Sequence, residues 1–312
     1  MEALDKILGI KYSVILAPMF LVTNEQMVEI AVKSGITAAI PAMNFRNSEH
    51  ITDFITGLKE KTIGPFGINI IANRSNTKLQ QQLEATLKNP PAFIITSLGN
   101  PREIIKQAHD KGVKVFCDVT DLKFAQKVEH LGADAIIAVN SQAGGHSGTI
   151  PRDELLKKII SECNIPVINA GGVANSDELK DVLNAGAAGA SVGTVFIASK
   201  ECSVSDQYKN ALIKFGEKDI VMTTKLSGVP STVINTDYVK KVGTKSSFLE
   251  LLIKKNTFLK NIAKARIMRK GESRLEKAAF SATYKTFWVA SKSIEQIHEI
   301  RNLRDIIEEL VE

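Results

Sequence analysis

The chain has 312 residues, of which 44% are hydrophobic and 24% charged, and its formal net charge is +6. This length suits one large domain or a barrel with an appendage, and the composition excludes a disordered chain. No apolar run approaches the roughly 18 residues that cross a bilayer, and the first residues lack the apolar core of a signal peptide. The cysteines at 117, 163 and 202 have neither disulfide nor metal-site spacing. We therefore expect a cytoplasmic protein without a structural metal.

The positive charge is concentrated towards the C-terminus. Residues 240–312 hold 16 Lys and Arg against 9 Asp and Glu, so the rest of the chain is close to neutral. A basic segment can contact nucleic acid or an acidic carrier protein, but here the charges alternate with apolar residues, which favours a solvated helix face. Nucleic-acid binding has the least support, because aromatic residues make up only 6% of the chain and do not alternate with basic ones.

One unit repeats through the first 200 residues: a short β-branched apolar run, a turn and an amphipathic helix. The predicted strands are, in chain order, 13–17, 37–40, 66–70, 92–96, 114–118, 135–139, 166–170 and 189–192. The predicted helices between them include 24–34, 78–89, 101–111, 121–131, 153–163 and 175–185. Short strands that are apolar on both faces and alternate with helices indicate a parallel sheet. Eight such units favour a closed (β/α)8 TIM barrel over an open α/β sheet.

The repeat ends after the eighth strand. Residues 200–285 are predicted to be mostly helical, with no clear strand and a turn at Gly228–Pro230. Residues 293–310 are again amphipathic and are expected to complete the barrel. We therefore divide the chain into a barrel domain at 1–200, a helical lid or substrate domain at 201–290 over the barrel mouth, and a returning C-terminal helix at 291–312.

The loop after the sixth strand carries the first candidate catalytic residue. It reads NSQAGGHSG over residues 140–148, and its glycines let the backbone approach a ligand closely. His146 lies among these glycines and can exchange a proton near neutral pH. A histidine that only caps a turn is the simpler alternative, but loops at strand ends form the catalytic face of such barrels. The other histidines, at 50, 109, 130 and 298, are interpreted as surface or packing residues.

Two further loops are rich in glycine. The seventh strand ends in NAGGV at 169–173, and the eighth ends in SVGTVF at 191–196. Glycines before a helix expose backbone N–H groups that suit a phosphate, and phosphate sites of barrels recur at these two loops. Ordinary turn chemistry also places glycine in such loops, but two adjacent ones favour a phosphate site.

Three other strand ends carry candidate ligand contacts. The first strand ends in APMF at 17–20, a rigid apolar edge that either packs on a flat ring or simply ends the strand. Asn69 on the third strand has both the donor and the acceptor that a heteroaromatic edge requires. Asp118 at the end of the fifth strand either orients a substrate or ring, or caps the following turn.

Taken together, these motifs resemble the nitronate monooxygenase family, formerly called 2-nitropropane dioxygenases. The same superfamily includes the FMN-dependent type II enoyl-acyl-carrier-protein reductases. The combination of AGGHxG, AGG and GT is specific to the superfamily, less so to one reaction, and the similarity spans nearly the whole chain. The resemblance implies FMN as cofactor and His146 as catalytic base or proton donor. The cofactor contacts that it implies are Met19, Asn69, Gly144, Gly145, Gly171, Gly172, Ser191, Val192, Gly193 and Thr194.

The chain departs from the family pattern at the end of the sixth strand. Val139 and Asn140 stand where glutamine or glutamate is common, and Gln142 stands where glutamate often precedes AGGH. These departures bear on substrate choice more than on cofactor binding, so Gln142 is a candidate substrate contact. Asp118 is a second candidate because of its place at the end of the fifth strand. The resemblance implies oxidation of an alkyl nitronate, such as propionate 3-nitronate, by O2 to a carbonyl compound and nitrite.

Several alternatives remain open at this point. An NAD(P)H-dependent flavin reductase would act on an enoyl thioester or a quinone, and the basic region would suit an acidic acyl carrier protein. A flavin-free barrel like IMP dehydrogenase needs a nucleophilic cysteine at a strand mouth, which the three cysteine positions do not favour. A non-catalytic flavin-binding protein is a further alternative. The expected partners are small molecules, neither nucleic acid nor a membrane, and the oligomeric state is open, a homodimer being one option.

Overall fold

The computed structural model describes residues 2–61, 64–73, 75–226, 229–244 and 287–312. Eight parallel strands in this part of the chain close into a barrel in sequence order. They are β1 (Val14–Leu16), β2 (Thr37–Pro41), β3 (Gly67–Ile71), β4 (Phe93–Ser97), β5 (Lys114–Val119), β6 (Ala135–Val139), β8 (Val167–Ala170) and β9 (Gly189–Val192), while β7 (Gly145–His146) lies outside the barrel. The predicted TIM barrel is confirmed.

Most of the described helices alternate with the strands and surround the barrel, whereas the first helix precedes the first strand and the tenth and eleventh follow the last. The helices are α1 (Leu4–Leu8), α2 (Glu25–Lys33), α3 (Glu49–Lys61), α4 (Leu79–Lys88), α5 (Arg102–His109), α6 (Leu122–His130), α7 (Arg152–Glu162), α8 (Ser176–Asn184), α9 (Thr194–Ile197), α10 (Asp206–Lys214), α11 (Asp237–Val242) and α12 (Leu303–Val311). Asn24, Asp121 and Asn175 each accept a hydrogen bond from the backbone N–H three residues later. The predicted starts of α2, α6 and α8 follow from these caps. Within the described residues, no helix is both long enough and apolar enough to span a membrane.

The interior of the barrel is a packed core. Phe93 and Phe116 stack inside it with ring centroids 4.9 Å apart. Gly67 makes room for them, because a Cβ at this position would lie 2.3 Å from the Phe93 ring. Leu4 of α1 is fully buried against the same cluster and its N–H bonds to the Ala188 carbonyl, so α1 closes the N-terminal end of the barrel. The opposite, C-terminal end is therefore the end left for a site.

The region after the barrel contains strands that the sequence did not indicate. Strand β10 (Ile220–Thr223) pairs antiparallel with β11 (Ser231–Ile234), and β11 pairs antiparallel with β7. The expectation of no strand between 200 and 285 is thus wrong, because these short strands are fixed by pairing with a distant loop. Gly228 of the predicted turn, and residues 245–286 of the predicted helical lid, lie outside the described residues.

The C-terminal segment contains two separate helices where the sequence predicted one amphipathic stretch at 293–310. A 3-10 helix at Lys292–Gln296 is followed by non-helical chain and then by α12. The break has a tertiary cause: Arg301 forms a parallel bridge with Ser199, and its carbonyl accepts a hydrogen bond from Lys200 N at 2.8 Å. Helix α12 then packs against α2 and α8, next to the strands at both ends of the barrel sequence, and so completes the outer layer.

Candidate active site

A cavity of about 470 Å³ opens at the C-terminal ends of the barrel strands, a volume within the usual range of small-molecule sites. All of the site residues suggested by the sequence line this cavity except Gln142. The side chain of Gln142 lies against the backbone of Gly172 instead, since a Cβ on Gly172 would be 2.0 Å from Gln142 Oε1. The barrel thus brings the separate strand-end motifs into one chamber.

His146 stands on the rim of this chamber on a loop that is held from two sides. Residues 145 and 146 form β7, where Gly145 pairs with Thr232 and His146 pairs with Ser231 of β11. The Thr232 hydroxyl also donates a hydrogen bond to the Ala143 carbonyl at 2.7 Å. Gly145 has φ +72°, which the glycine permits and which turns the chain into this ladder.

Two fully buried amides join the histidine loop to the loop after β8. Asn140 Nδ2 donates to Asn169 Oδ1 at 3.1 Å and to the Gly171 carbonyl at 3.0 Å. Asn169 Nδ2 donates to the same Gly171 carbonyl at 3.0 Å. Asn140 therefore has a structural role here, at one of the positions where the chain departs from the family pattern.

The two glycine-rich loops present backbone donors to the cavity. The N–H groups of Gly172, Val173, Gly193 and Thr194 have no hydrogen-bond partner among the described residues, although Val173 and Thr194 are buried. Buried N–H groups are nearly always paired, so this cluster fits an anionic ligand. Helix α8 itself is already capped by Asn175, and Ala174 N bonds to Glu178 Oε2 at 2.7 Å. The available donors thus come from the two loops and not from the start of α8.

The loop after β1 borders the loop after β9. Met19 Sδ would lie 3.3 Å from a Cβ added to Gly193, so a larger residue there would displace the thioether. The Met19 N–H and the Ala17 carbonyl both bond to the Thr23 hydroxyl, which fixes this apolar edge. The edge is therefore a rigid wall beside the backbone donors.

A hydrogen-bond relay crosses the cavity wall on three neighbouring strands. Asn69 Nδ2 on β3 donates to Ser97 Oγ on β4 at 2.7 Å, and Ser97 Oγ donates to Asp118 Oδ2 on β5 at 2.6 Å. We call these residues the Asn69–Ser97–Asp118 relay. Ser97 was missed by the sequence analysis, because a serine at a strand end has no distinctive spacing and only the strand register reveals its partners.

Two other cavity residues were also missed. Ser291 N bonds to Thr194 Oγ1 at 3.1 Å, and Tyr208 is buried with its hydroxyl donating to the Val289 carbonyl. Tyr208 stacks on Trp288 with ring centroids 5.8 Å apart. These residues come from distant parts of the chain, and an aromatic residue in a helical pattern predicts packing as readily as a site.

The electrostatics of the cavity favour neutral side chains. His146 is exposed at the cavity rim, but the protein around it partly removes the imidazole from water and lowers its pKa, so the ring is neutral near pH 7. Burial raises the pKa of Asp118 to about 6, with the Ser97 hydrogen bond acting in the opposite direction. Among the described lining residues there is no Lys or Arg to compensate a negative charge. Within this lining, the backbone N–H groups of the two glycine-rich loops are therefore the candidate donors for an anion.

A closed parallel barrel with a histidine on one loop, and with backbone donors on the next two that have no partner among the described residues, is typical of enzymes that bind a phosphate-bearing ligand. Comparison with known proteins identifies the family of this enzyme. The family model of nitronate monooxygenase matches residues 73–312. The chain belongs to the nitronate monooxygenase family, a family of FMN-dependent oxidoreductases.

Individual relatives are moderately similar. A "(3aS,4S,5R,7aS)-5-hydroxy-7a-methyl-1-oxo-octahydro-1H-indene-4-carboxyl-CoA dehydrogenase" from Rhodococcus jostii (strain RHA1) is 29% identical, over 77% of this chain and 67% of the relative. A probable nitronate monooxygenase from Staphylococcus aureus (strain MRSA252) is 28% identical, over 77% of this chain and 79% of the relative.

Solved structures extend the similarity to nearly the whole chain. FabK from Thermotoga maritima superposes with a TM-score of 0.84 at 26% identity, over 99% of this chain and 94% of that one. A nitroalkane oxidase from Streptomyces ansochromogenes has a TM-score of 0.81 at 21% identity, over 99% and 96% of the two chains, and supports the fold.

Proposed function

We propose that this chain is a nitronate monooxygenase that holds FMN in the cavity at the barrel mouth, with His146 as its catalytic base. The observation that carries the proposal is the placement of His146 in the same chamber as the unpaired backbone donors of two glycine-rich loops. Family membership supports the class of reaction. The particular substrate and the residue roles are our inference from the cavity.

The residues present fit FMN. The N–H groups of Gly172, Val173, Gly193 and Thr194 would bind the phosphate, together with the neighbouring Gly171, Ser191 and Val192. Met19, Gly144 and Gly145 would border the ring, and Asn69 would bind the ring or its ribityl chain. When bound, FMN supplies the electron acceptor and the reactivity towards O2 that no side chain in the described cavity can provide.

His146 would act on the substrate carbon. A neutral imidazole accepts the proton next to a nitro group: the C–H bond breaks, an N–H bond forms on the ring, and the electron pair moves onto the nitro oxygens to give the nitronate. The lowered pKa of His146 keeps its imidazole unprotonated at neutral pH. A nitronate supplied directly would not need this step. The overall reaction consumes O2 and yields a carbonyl compound and nitrite.

The test is nitrite release under air. Purified protein loaded with FMN is mixed with propionate 3-nitronate or with propyl-2-nitronate, and nitrite is measured. We expect stoichiometric nitrite and carbonyl product at a rate that depends on FMN content. Absence of nitrite with a fully loaded protein would remove the proposal.

A second candidate is an NAD(P)H-dependent reductase of an enoyl thioester or a quinone. Two observations favour it: a CoA-ester dehydrogenase is among the similar relatives, and FabK superposes on nearly the whole chain. NADH consumption with crotonyl thioester or a quinone, without nitrite from nitronates, would select this alternative.

A further inference from the structure

The Asn69–Ser97–Asp118 relay has a fixed direction. The Asn69 amide nitrogen can only donate, so Ser97 Oγ accepts from it and gives its own single proton to Asp118 Oδ2. The other carboxyl oxygen, Asp118 Oδ1, has no hydrogen-bond partner among the described residues. Because Asp118 lines the cavity, this oxygen remains for a ligand. A proton bound to Asp118 would reside on Oδ1, since Oδ2 is occupied as an acceptor.

The surroundings of Asp118 offer the ionised carboxyl no counter-charge. Neither β4 nor β6 carries a charged side chain beside it. On the same strand, burial raises the pKa of the Cys117 thiol to about 12, so it stays neutral. The other titratable residues of the described cavity lining are His146 and Tyr208.

The two helices packed against β5 carry their charges on the outside. On α5 and α6 the exposed charged or titratable residues are Arg102, Glu103, Lys106, His109, Lys123, Lys127 and His130. Glu129 is half-buried, but it accepts a hydrogen bond from Asn164 N, away from the cavity. No group on these elements therefore neutralises Asp118.

We propose that Asp118 binds an electron-rich oxygen of the cavity ligand as the protonated acid, donating a hydrogen bond from Oδ1, so that binding is linked to one proton. The ligand recognised by Asp118 would carry a planar group whose oxygens are anionic or are strong hydrogen-bond acceptors. It can belong to the substrate, as a nitronate or carboxylate, or to the carbonyl edge of the flavin. An ionised Asp118 would repel an anionic group and could not donate a hydrogen bond to a carbonyl oxygen.

Burial alone raises the pKa of Asp118 into the pH range in which its loss of a proton can change ligand affinity. Its pKa of about 6 means that much of the population is protonated in mildly acidic solution before any ligand binds. A bound anion favours the neutral acid further, so the complex retains the proton to higher pH than the free protein does. The inference rests on the proposed FMN cavity but not on nitronate turnover.

The experiment measures binding without turnover. Isobutyrate, an inert planar anion close in size to a small alkyl nitronate, is titrated into the FMN-loaded protein, and the flavin absorption spectrum is followed from about pH 6 to about pH 9. We expect the wild-type Kd to rise by up to about tenfold per pH unit above the pKa of Asp118. Asp118→Asn keeps a neutral donor that does not titrate, so its Kd should stay nearly constant.

Ser97→Ala provides a second, independent readout. Loss of the Ser97 donor destabilises the ionised carboxyl, so the rise in Kd should begin at higher pH than in the wild type. A purely structural role of the serine would weaken binding equally at all pH values. Asp110→Asn, at an exposed position directly after α5, is the matched control and should behave like the wild type. Circular dichroism and FMN content verify that each variant is folded.

The same samples show whether the oxygen bound by Asp118 belongs to the substrate or to the flavin ring. A pH-dependent flavin spectrum without isobutyrate, present in the wild type and absent in Asp118→Asn, assigns the contact to the flavin ring. A pH-dependent Kd alone assigns it to the substrate anion. Identical pH profiles for wild type and Asp118→Asn, or affinity that increases with pH, would overturn the inference. If isobutyrate binding is linked to a proton but nitronates release no nitrite, only the proposed nitronate oxidation is overturned. If the protein takes up no FMN, the proposed function and the role of Asp118 are both overturned.

Discussion

Ser231 lies directly opposite His146 in the antiparallel ladder between β11 and β7. The next pair in the ladder, Thr232 and Gly145, is reinforced by the hydrogen bond from Thr232 to the Ala143 carbonyl, 89 positions earlier in the chain. The backbone that carries the candidate base is thus fixed by the region after the barrel. The position of His146 therefore depends on the pairing of β7 with β11.

Thr232→Val tests this dependence. The substitution keeps the shape but removes the hydroxyl, which leaves the buried Ala143 carbonyl without this donor, and we expect a loss of about 1–3 kcal/mol in unfolding free energy. Turnover should fall while FMN stays bound, because the β9 loop is unchanged. Denaturant unfolding and nitrite assays measure both effects. Thr149→Val at an exposed loop position is the control, and equal behaviour of the two variants would show that the ladder does not position His146.

His146→Gln tests the proton-transfer role. Glutamine preserves hydrogen bonding but cannot act as the base, so we expect FMN content to stay the same and nitrite formation from neutral 2-nitropropane to fall by about 10²–10⁴-fold. Nitronate prepared in advance should lose much less activity. Because the pKa of His146 is lowered, the wild-type rate with the neutral substrate should already be level near pH 7 and fall only in more acidic solution.

His130→Gln, an exposed histidine on α6, is the control for the previous substitution and should retain full activity. An equal loss with neutral and pre-ionised substrate in His146→Gln would argue against a base. It would indicate instead that His146 binds the substrate.

Gly171→Ala tests the loop after β8. Gly171 has φ +110°, and a Cβ there would lie 2.4 Å from Ala143 N, so the loop must shift away from the histidine loop. We expect a destabilisation of about 1–3 kcal/mol and markedly weaker FMN binding, measured by flavin fluorescence. Gly57→Ala is the matched control, because it lies in α3 with open space around it and should stabilise the protein by about 0.5–1 kcal/mol. Unchanged FMN affinity in Gly171→Ala would contradict the proposed cradle.

Asp118→Asn should change stability in a pH-dependent way. A carboxyl whose pKa rises from 3.8 to about 6 on folding binds more protons in the folded state, so wild-type stability falls as pH rises between these values. Asparagine avoids this cost, and we expect it to gain about 2–3 kcal/mol at pH 7 but little at pH 4. Urea unfolding at the two pH values measures the difference. A gain of equal size at both would show that the ionisation of Asp118 carries no penalty.

The barrel was predictable because each strand and helix carries a local pattern of its own. The eight apolar runs include every barrel strand core, and caps such as Asn24 and Asp121 mark helix starts in the sequence. The common location of the candidate residues was also predictable, since the C-terminal ends of parallel strands meet at one end of a barrel, while their roles stay predictions. His146, Asn69 and Thr194 thus come together although they are far apart in sequence.

The elements that were missed depend on partners that local patterns do not reveal. Strand β11 is only four residues long and is defined by pairing with β7 and β10. Ser97 acquires its role only from the register that places it between Asn69 and Asp118. Gln142 was chosen because it lies next to AGGH in sequence, but its side chain packs on Gly172 instead of lining the cavity.

The most direct test of an FMN-dependent nitronate oxidation is an anaerobic spectral titration of the purified protein. We expect flavin absorption bands that are retained on gel filtration, are bleached by a small excess of propyl-2-nitronate and return on admission of air with release of nitrite. A protein that stays colourless after incubation with FMN, or one whose bands are bleached by NADH but not by the nitronate, would contradict this function.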